Sequence, residues 1–163
     1  MQFRNFIVCM VLILPNLTFA QEVNNKTKLQ WLDWNEGFLK SNNEQKIALI
    51  DAYTEWCGWC KKMDRDTYAK TSVIDKINEN FVPIKFNPEI KRTYKTSNGE
   101  ISGRQLLLQL SNNSPSGYPT TFFYLPSKNE ILPVPGYYGE KDFMNLLDKI
   151  VKYSRGEIEL INN

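Results

Sequence analysis

Residues 46–63 read KIALIDAYTEWCGWCKKM. The first nine, Lys46 to Thr54, form an almost continuous apolar run of strand length, the pattern of a central strand buried on both faces. Two cysteines follow directly, Cys57 and Cys60, with Gly58 and Trp59 between them. A strand ending near Glu55 and a helix starting near Cys57 put the first sulfur at a helix N-terminus. Free backbone N–H groups and a partial positive charge there favour the thiolate. Such surroundings lower a thiol pKa from about 8.5 into a range of roughly 3.5 to 7.5. Three uses of the pair compete: a redox couple, half of a metal site, or a disulfide that staples a loop.

The rest of the chain discriminates among them. Its 163 residues include no histidine. That excludes Ser-His-Asp and Cys-His nucleophile pairs. It also leaves tetrahedral zinc with two of the four soft ligands it takes in structural sites, so no metal is expected. A helical turn brings Cys60 within bonding reach of Cys57. A disulfide closing so small a loop removes little chain entropy, which makes it a poor staple.

The third cysteine, Cys9, lies in FIVCMVLIL (6–14), behind Arg4 and ahead of PNLTFA (15–20). A short positive stretch, an apolar run and small residues at Thr18 and Ala20 predict a signal peptide over 1–20, cleaved before Gln21. Nine apolar residues are too few to cross a bilayer, which takes about 20. Export to a periplasm or cell envelope is expected, where disulfides persist. Arg4 is the one charge in that leader, so 20 basic and 18 acidic residues become 19 and 18 without it. That balance gives no reason to expect nucleic acid or an anionic membrane surface as partner.

The length suits one domain with a single sizeable core, and 42% hydrophobic content agrees. QEVNNKTK (21–28) is polar and expected to be disordered; the folded domain is expected over 29–155. LQWLDWNEGFLK (29–40) places Trp31, Trp34 and Phe38 on one helical stripe. After the cysteines, CKKMDRDTYAK can be helical with Met63 on the face of Cys60. SVIDKINEN reads as helix capped by Ser72, and FVPIKFN (81–87) as a strand parallel to the first. Residues 88–102 read as a polar loop with a turn at Asn98-Gly99. GRQLLLQL is a short helix, TTFFYL and EILPVPGYY an antiparallel hairpin, and GEKDFMNLLDKIVKY an amphipathic helix. The class is α/β, a mixed central sheet flanked by helices, with an extra helix at the N-terminus.

LIDAYTEWCGWCKKM resembles the active-site segment of the thioredoxin family, in which a buried Asp stands six residues before the first cysteine; Asp51 fills that position. VPIKFN is similar to the next family strand, with Lys85 as the lysine near that Asp. GYPTTFFYL resembles the segment opening on the family's cis-proline, here Pro119. PGYYGEKDFMNLLDKI resembles the terminal glycine-then-helix segment, with the glycine at Gly136. The resemblance spans Lys46 to Tyr153. Within the family, residues 51–87 look most like the C-terminal thioredoxin-like domain of the bacterial transmembrane thiol reductase DsbD. Gly58-Trp59 stands where thioredoxin has Gly-Pro, Tyr118 where smaller residues are usual, and 87–117 is longer.

The resemblance implies a thioredoxin fold and a reversible Cys57–Cys60 disulfide. Cys57 would attack a substrate disulfide and Cys60 would resolve the intermediate. Asp51, helped by Lys85, would take the proton from Cys60, while Trp56, Gly58, Trp59, Tyr118 and Pro119 would form the surface that holds substrate. It implies no cofactor, a monomer acting on disulfide-containing client proteins, and a membrane thiol reductase as electron donor. Two alternatives stay open: an oxidase or isomerase, and a non-catalytic module binding a client or copper.

Overall fold

Apolar side chains on both faces of a strand require a layer on each side of it. The computed structural model describes residues 28–160 and builds those layers around the quoted run. Strand β1 (Ile47–Ala52) is buried along its whole length. It pairs in parallel with β2 (Phe81–Phe86) and antiparallel with β5 (Thr120–Leu125), which pairs with β6 (Glu130–Pro135). The sheet order is β2-β1-β5-β6. The expected signal peptide over 1–20, and residues 21–27 of the polar segment, lie outside the described residues.

Strand alternation sorts the core. Ile47, Leu49, Phe81 and Phe123 face α2 (Gly58–Met63), α3 (Thr71–Asn80) and α5 (Glu140–Ser154), meeting Met63, Ile77 and Phe143. Ala48, Ile50, Ile84 and Phe122 face α1 (Trp34–Glu44) and α4 (Gly103–Leu110), meeting Trp34, Leu106 and Leu110. Burying each of the Leu, Ile, Phe and Met side chains among them contributes roughly 1.5–3 kcal/mol. Asp51 and Lys85, at odd positions, belong to the face under the cysteine helix.

The expected N-terminal helix over 29–40 starts later than its aromatic stripe suggests. Asp33 caps α1 by accepting the Glu36 N–H at 3.1 Å, while Leu32 pairs as extended chain with β2. The stripe divides at that cap. Trp34 stacks on Phe38 on one side of the sheet, and Trp31 packs edge-on against Tyr68 on the other. Ser72 does not cap α3. Lys70 holds the cap position, and the Ser72 hydroxyl donates to Glu140 across the gap to α5.

The expected loop over 88–102 contains a hairpin, β3 (Thr93–Thr96) and β4 (Gly99–Ser102). Gly99 turns it with φ +116°, a value L side chains rarely adopt. Its anchor is Tyr94, fully buried, whose hydroxyl donates to the Asn87 carbonyl at 2.9 Å. Polar composition concealed the strands because few apolar side chains attach them, Tyr94 and the half-buried Ile101, while backbone groups of Lys95 bond to Trp34 and Asn35 of α1. The last strand ends at Pro135 instead of Tyr138, where Gly136 takes φ +96°. No helix among the described residues is long and apolar enough to cross a membrane.

Candidate active site

Strand β1 ends at Ala52, and the five residues to Cys57 turn the chain into α2. The Cys57 N–H bonds to the Thr54 carbonyl at 3.2 Å. Cys57 occupies the N-cap of α2, and its sulfur accepts the Cys60 backbone N–H at 3.0 Å. The two cysteines are joined by a disulfide. A sulfur at an N-cap is held where helix N–H groups stabilise negative charge. Exposure does not separate the pair, since Cys57 is 5% and Cys60 3% exposed. The hydrogen bond onto the Cys57 sulfur does.

The sheet presents a carboxylate on the face beneath this helix. Asp51 and Lys85 are register partners on β1 and β2, and their side chains meet at 2.5 Å. Asp51 is 2% exposed. Its Oδ2 takes the Lys85 ammonium, and its Oδ1 has no hydrogen-bond partner among the described residues. Lys85 is shared, because it also donates to Asp64 at 2.5 Å. Burial therefore holds the Asp51 carboxyl above the usual carboxylate range, Lys85 offsetting only part of that desolvation. Burial alone would lower Lys85. Attraction and hydrogen bonds from Asp51 and Asp64 outweigh it, and the ammonium is held above its ordinary value. Trp31 and Tyr53 bring their rings to 4.7 and 5.0 Å from that ammonium. A buried carboxyl with one free oxygen and a raised affinity for protons is suited to accept one from a neighbouring acid.

Around the sulfurs lies an aromatic rim. Trp56 and Trp59 are 68% and 59% exposed. The Trp56 indole N–H donates to both carboxylate oxygens of Glu89, at 3.2 and 3.1 Å, and its ring meets Tyr118 edge-on. Trp59 packs on Tyr137, whose ring and hydroxyl also receive Lys62. The Tyr118–Pro119 peptide is cis, and Pro119 presents its carbonyl to the Gly136 N–H at 2.9 Å. Burial, with Glu89 adding to it, raises the Tyr118 phenol. Gly58 opens α2 with no described residue beyond its chain neighbours and its own helix within 4 Å of where a Cβ would stand.

Three residues of this arrangement escaped the sequence reading. Asp64 stands four residues after Cys60, a helical spacing that carries the signal. Glu89 and Tyr137 arrive from segments far along the chain, and no local pattern marks them. Among the described residues no group of three or more Cys, Asp or Glu gathers as a metal site would require.

Comparison with known proteins places this geometry. The family model Thioredox_DsbH, described as "Protein of unknown function, DUF255", matches residues 18–162. "Uncharacterized protein B0495.5" of Caenorhabditis elegans is 22% identical over 134 residues, 78% of this chain. The chain spans only 16% of that relative's length. A thioredoxin from Thermus thermophilus superposes with a TM-score of 0.59 at 18% identity, over 83% of this chain and 99% of that one. The oxidised C-terminal domain of Neisseria meningitidis DsbD gives 0.52 at 20% identity, over 70% and 89%. Both solved structures share the mixed sheet flanked by helices, so the fold is the thioredoxin fold anticipated from the residues. A Cys57–Cys60 disulfide at the N-terminus of α2, and a family match over nearly the whole length, lead to one conclusion: the chain belongs to the thioredoxin-like Thioredox_DsbH (DUF255) family.

Proposed function

We propose that this chain is an exported thiol–disulfide oxidoreductase that reduces disulfides in client proteins. The observation that carries the reading is the Cys57 sulfur at the helix N-cap, bonded to the Cys60 N–H, on the face that also bears the half-satisfied Asp51 carboxyl. The reduced protein attacks through the Cys57 thiolate. A Cys57–client disulfide forms, the client S–S bond breaks, and the distal client sulfur leaves as thiolate. Cys60 then gives its proton to Asp51 and attacks the Cys57 sulfur. The Cys57–Cys60 disulfide forms and the second client thiolate departs. The client gains two electrons and the protein loses two. Lys85 keeps Asp51 oriented and offsets part of its charge.

The reducing direction is supported by what surrounds the thiolate. A strong oxidant holds its thiolate with positive charge, and neither Gly58 nor Trp59 carries any. Asp51, when ionised, works against the thiolate. A membrane thiol reductase outside the cytoplasm would regenerate the dithiol, and no cofactor takes part. Equilibration of the Cys57–Cys60 pair with glutathione tests the direction. The expected potential lies toward the thioredoxin value of about −270 mV, and reduction of insulin disulfides should accompany it. A potential above about −180 mV, where the isomerases sit, would overturn the reductase reading.

A further inference from the structure

The Lys85 ammonium stands between two unequal carboxylates. Asp51 is buried and Asp64 is 46% exposed, and each lies 2.5 Å from the same nitrogen. A lysine on a flexible four-carbon stem, with a solvated partner beside it, can leave a buried carboxylate for the surface. What restrains it is aromatic. Trp31, Tyr53 and Tyr68 set their ring centroids 4.7, 5.0 and 5.5 Å from the nitrogen. The titratable groups facing the ammonium are Asp51 from β1, Tyr53 from the loop after it, and Asp64 and Tyr68 from the π-helical turn Asp64–Tyr68 that continues α2.

Trp31 comes from elsewhere, the extended segment before α1. The Lys85 backbone N–H donates to the Leu32 carbonyl, and the Leu32 N–H to the Pro83 carbonyl, both at 3.0 Å. That segment is therefore bonded to the strand that bears Lys85. Alternation divides its side chains. Leu32 packs on the α1 and α4 side of the sheet, and Trp31 on the side where Asp51 and Lys85 stand. Tyr68 braces Trp31 edge-on, and is itself edge-on to Phe143 of α5 with its hydroxyl 3.3 Å from that of Thr121. Any large apolar side chain would serve packing at this place. An ammonium is served only by a π face, and tryptophan offers the most attractive one.

We propose that Trp31 is a positioning residue for the thiol–disulfide reaction: its ring holds the Lys85 ammonium on Asp51 and keeps it from moving out to Asp64 and solvent. This rests on the oxidoreductase reading, in which Asp51 takes the Cys60 proton. While the ammonium is held, Lys85 offsets part of the desolvation that raises Asp51. Once it is released, that offset shrinks and Asp51 binds its proton more tightly. A carboxyl that keeps its proton to higher pH serves as a base only at higher pH.

The test reads Asp51 directly, by NMR titration of its carboxyl carbon in the oxidised protein. Trp31→Leu should raise the Asp51 pKa by about half a unit or more, and Trp31→Phe, which keeps a ring, should raise it less. Should the leucine variant fail to fold, tetrafluorotryptophan in place of Trp31 keeps the indole shape and strips its face of negative charge; the same upward shift is expected. An Asp51 titration unmoved in these variants, or moved equally by leucine and phenylalanine, would overturn the proposal and leave Trp31 a packing residue. The reaction is read separately, on release of a peptide held as a mixed disulfide at Cys57. On the acid limb of its pH profile, Trp31→Leu should slow release about threefold, the factor that half a unit represents. A release rate that ignores a shifted Asp51 would refute Asp51 as the base, and with it any part for Trp31 in the reaction.

Discussion

Asp51→Asn should flatten a pH dependence of stability that the wild type carries, and it should slow release of client from Cys57. Burial raises the native pKa of Asp51 above its value in the unfolded chain, about 3.9. Between those two values the native state holds a proton that the unfolded state has lost. Stability gained from that proton is complete below the unfolded value and is lost as pH rises through the native one. Within the window the slope is −2.303RT, about −1.4 kcal/mol per pH unit. Asparagine does not titrate, so the difference in unfolding free energy, wild type minus variant, should fall by that amount per unit and then level off. Lys85 is not stranded by the change, because Asp64 still holds it at 2.5 Å. Urea denaturation of the oxidised protein at unit intervals from about pH 4 to 8 measures the difference. A difference independent of pH would refute the assignment of a raised pKa. The kinetic half is read on the mixed disulfide at Cys57: loss of a general base should slow its resolution by about 10²-fold or more. Turnover equal to wild type would return Asp51 to a purely structural role.

Two further outcomes follow from the same geometry and one from the leader sequence. Cys60→Ser should accumulate mixed disulfides with client proteins and Cys57→Ser should not, as non-reducing gels would reveal; equal trapping would reverse the assigned roles. Gly103→Ala should destabilise the fold by about 1–3 kcal/mol, because its Cβ would stand 2.5 Å from the Pro88 carbonyl oxygen. Thermal unfolding measures that loss, and an unchanged midpoint would mean that the loop bearing Glu89 yields freely. For the export proposal, protein recovered from an envelope fraction should begin at Gln21 by mass spectrometry, whereas a mature chain beginning at Met1 would exclude cleavage.

Local chemistry wrote the centre of this molecule into the chain. An unbroken apolar run declares a strand covered on both faces. Strand, CxxC helix and strand in succession declare parallel pairing; in that pairing Asp51 and Lys85 stand in register, near each other as the family resemblance implied. Histidine's absence removes Cys-His and Ser-His-Asp chemistry outright. The rim was decided elsewhere. Trp31 and Trp34 share a helical spacing, yet the Asp33 cap sends them to opposite faces of the sheet. Glu89 lies 33 residues from the indole it holds. Tyr94 anchors a hairpin whose other residues look like loop. Asp64 reaches Lys85 only because helix and sheet stack. Periodicity records which way a side chain faces relative to its neighbours in sequence. What it meets there depends on contacts between elements brought together by the hydrophobic core, and those contacts leave no repeat for the sequence to display.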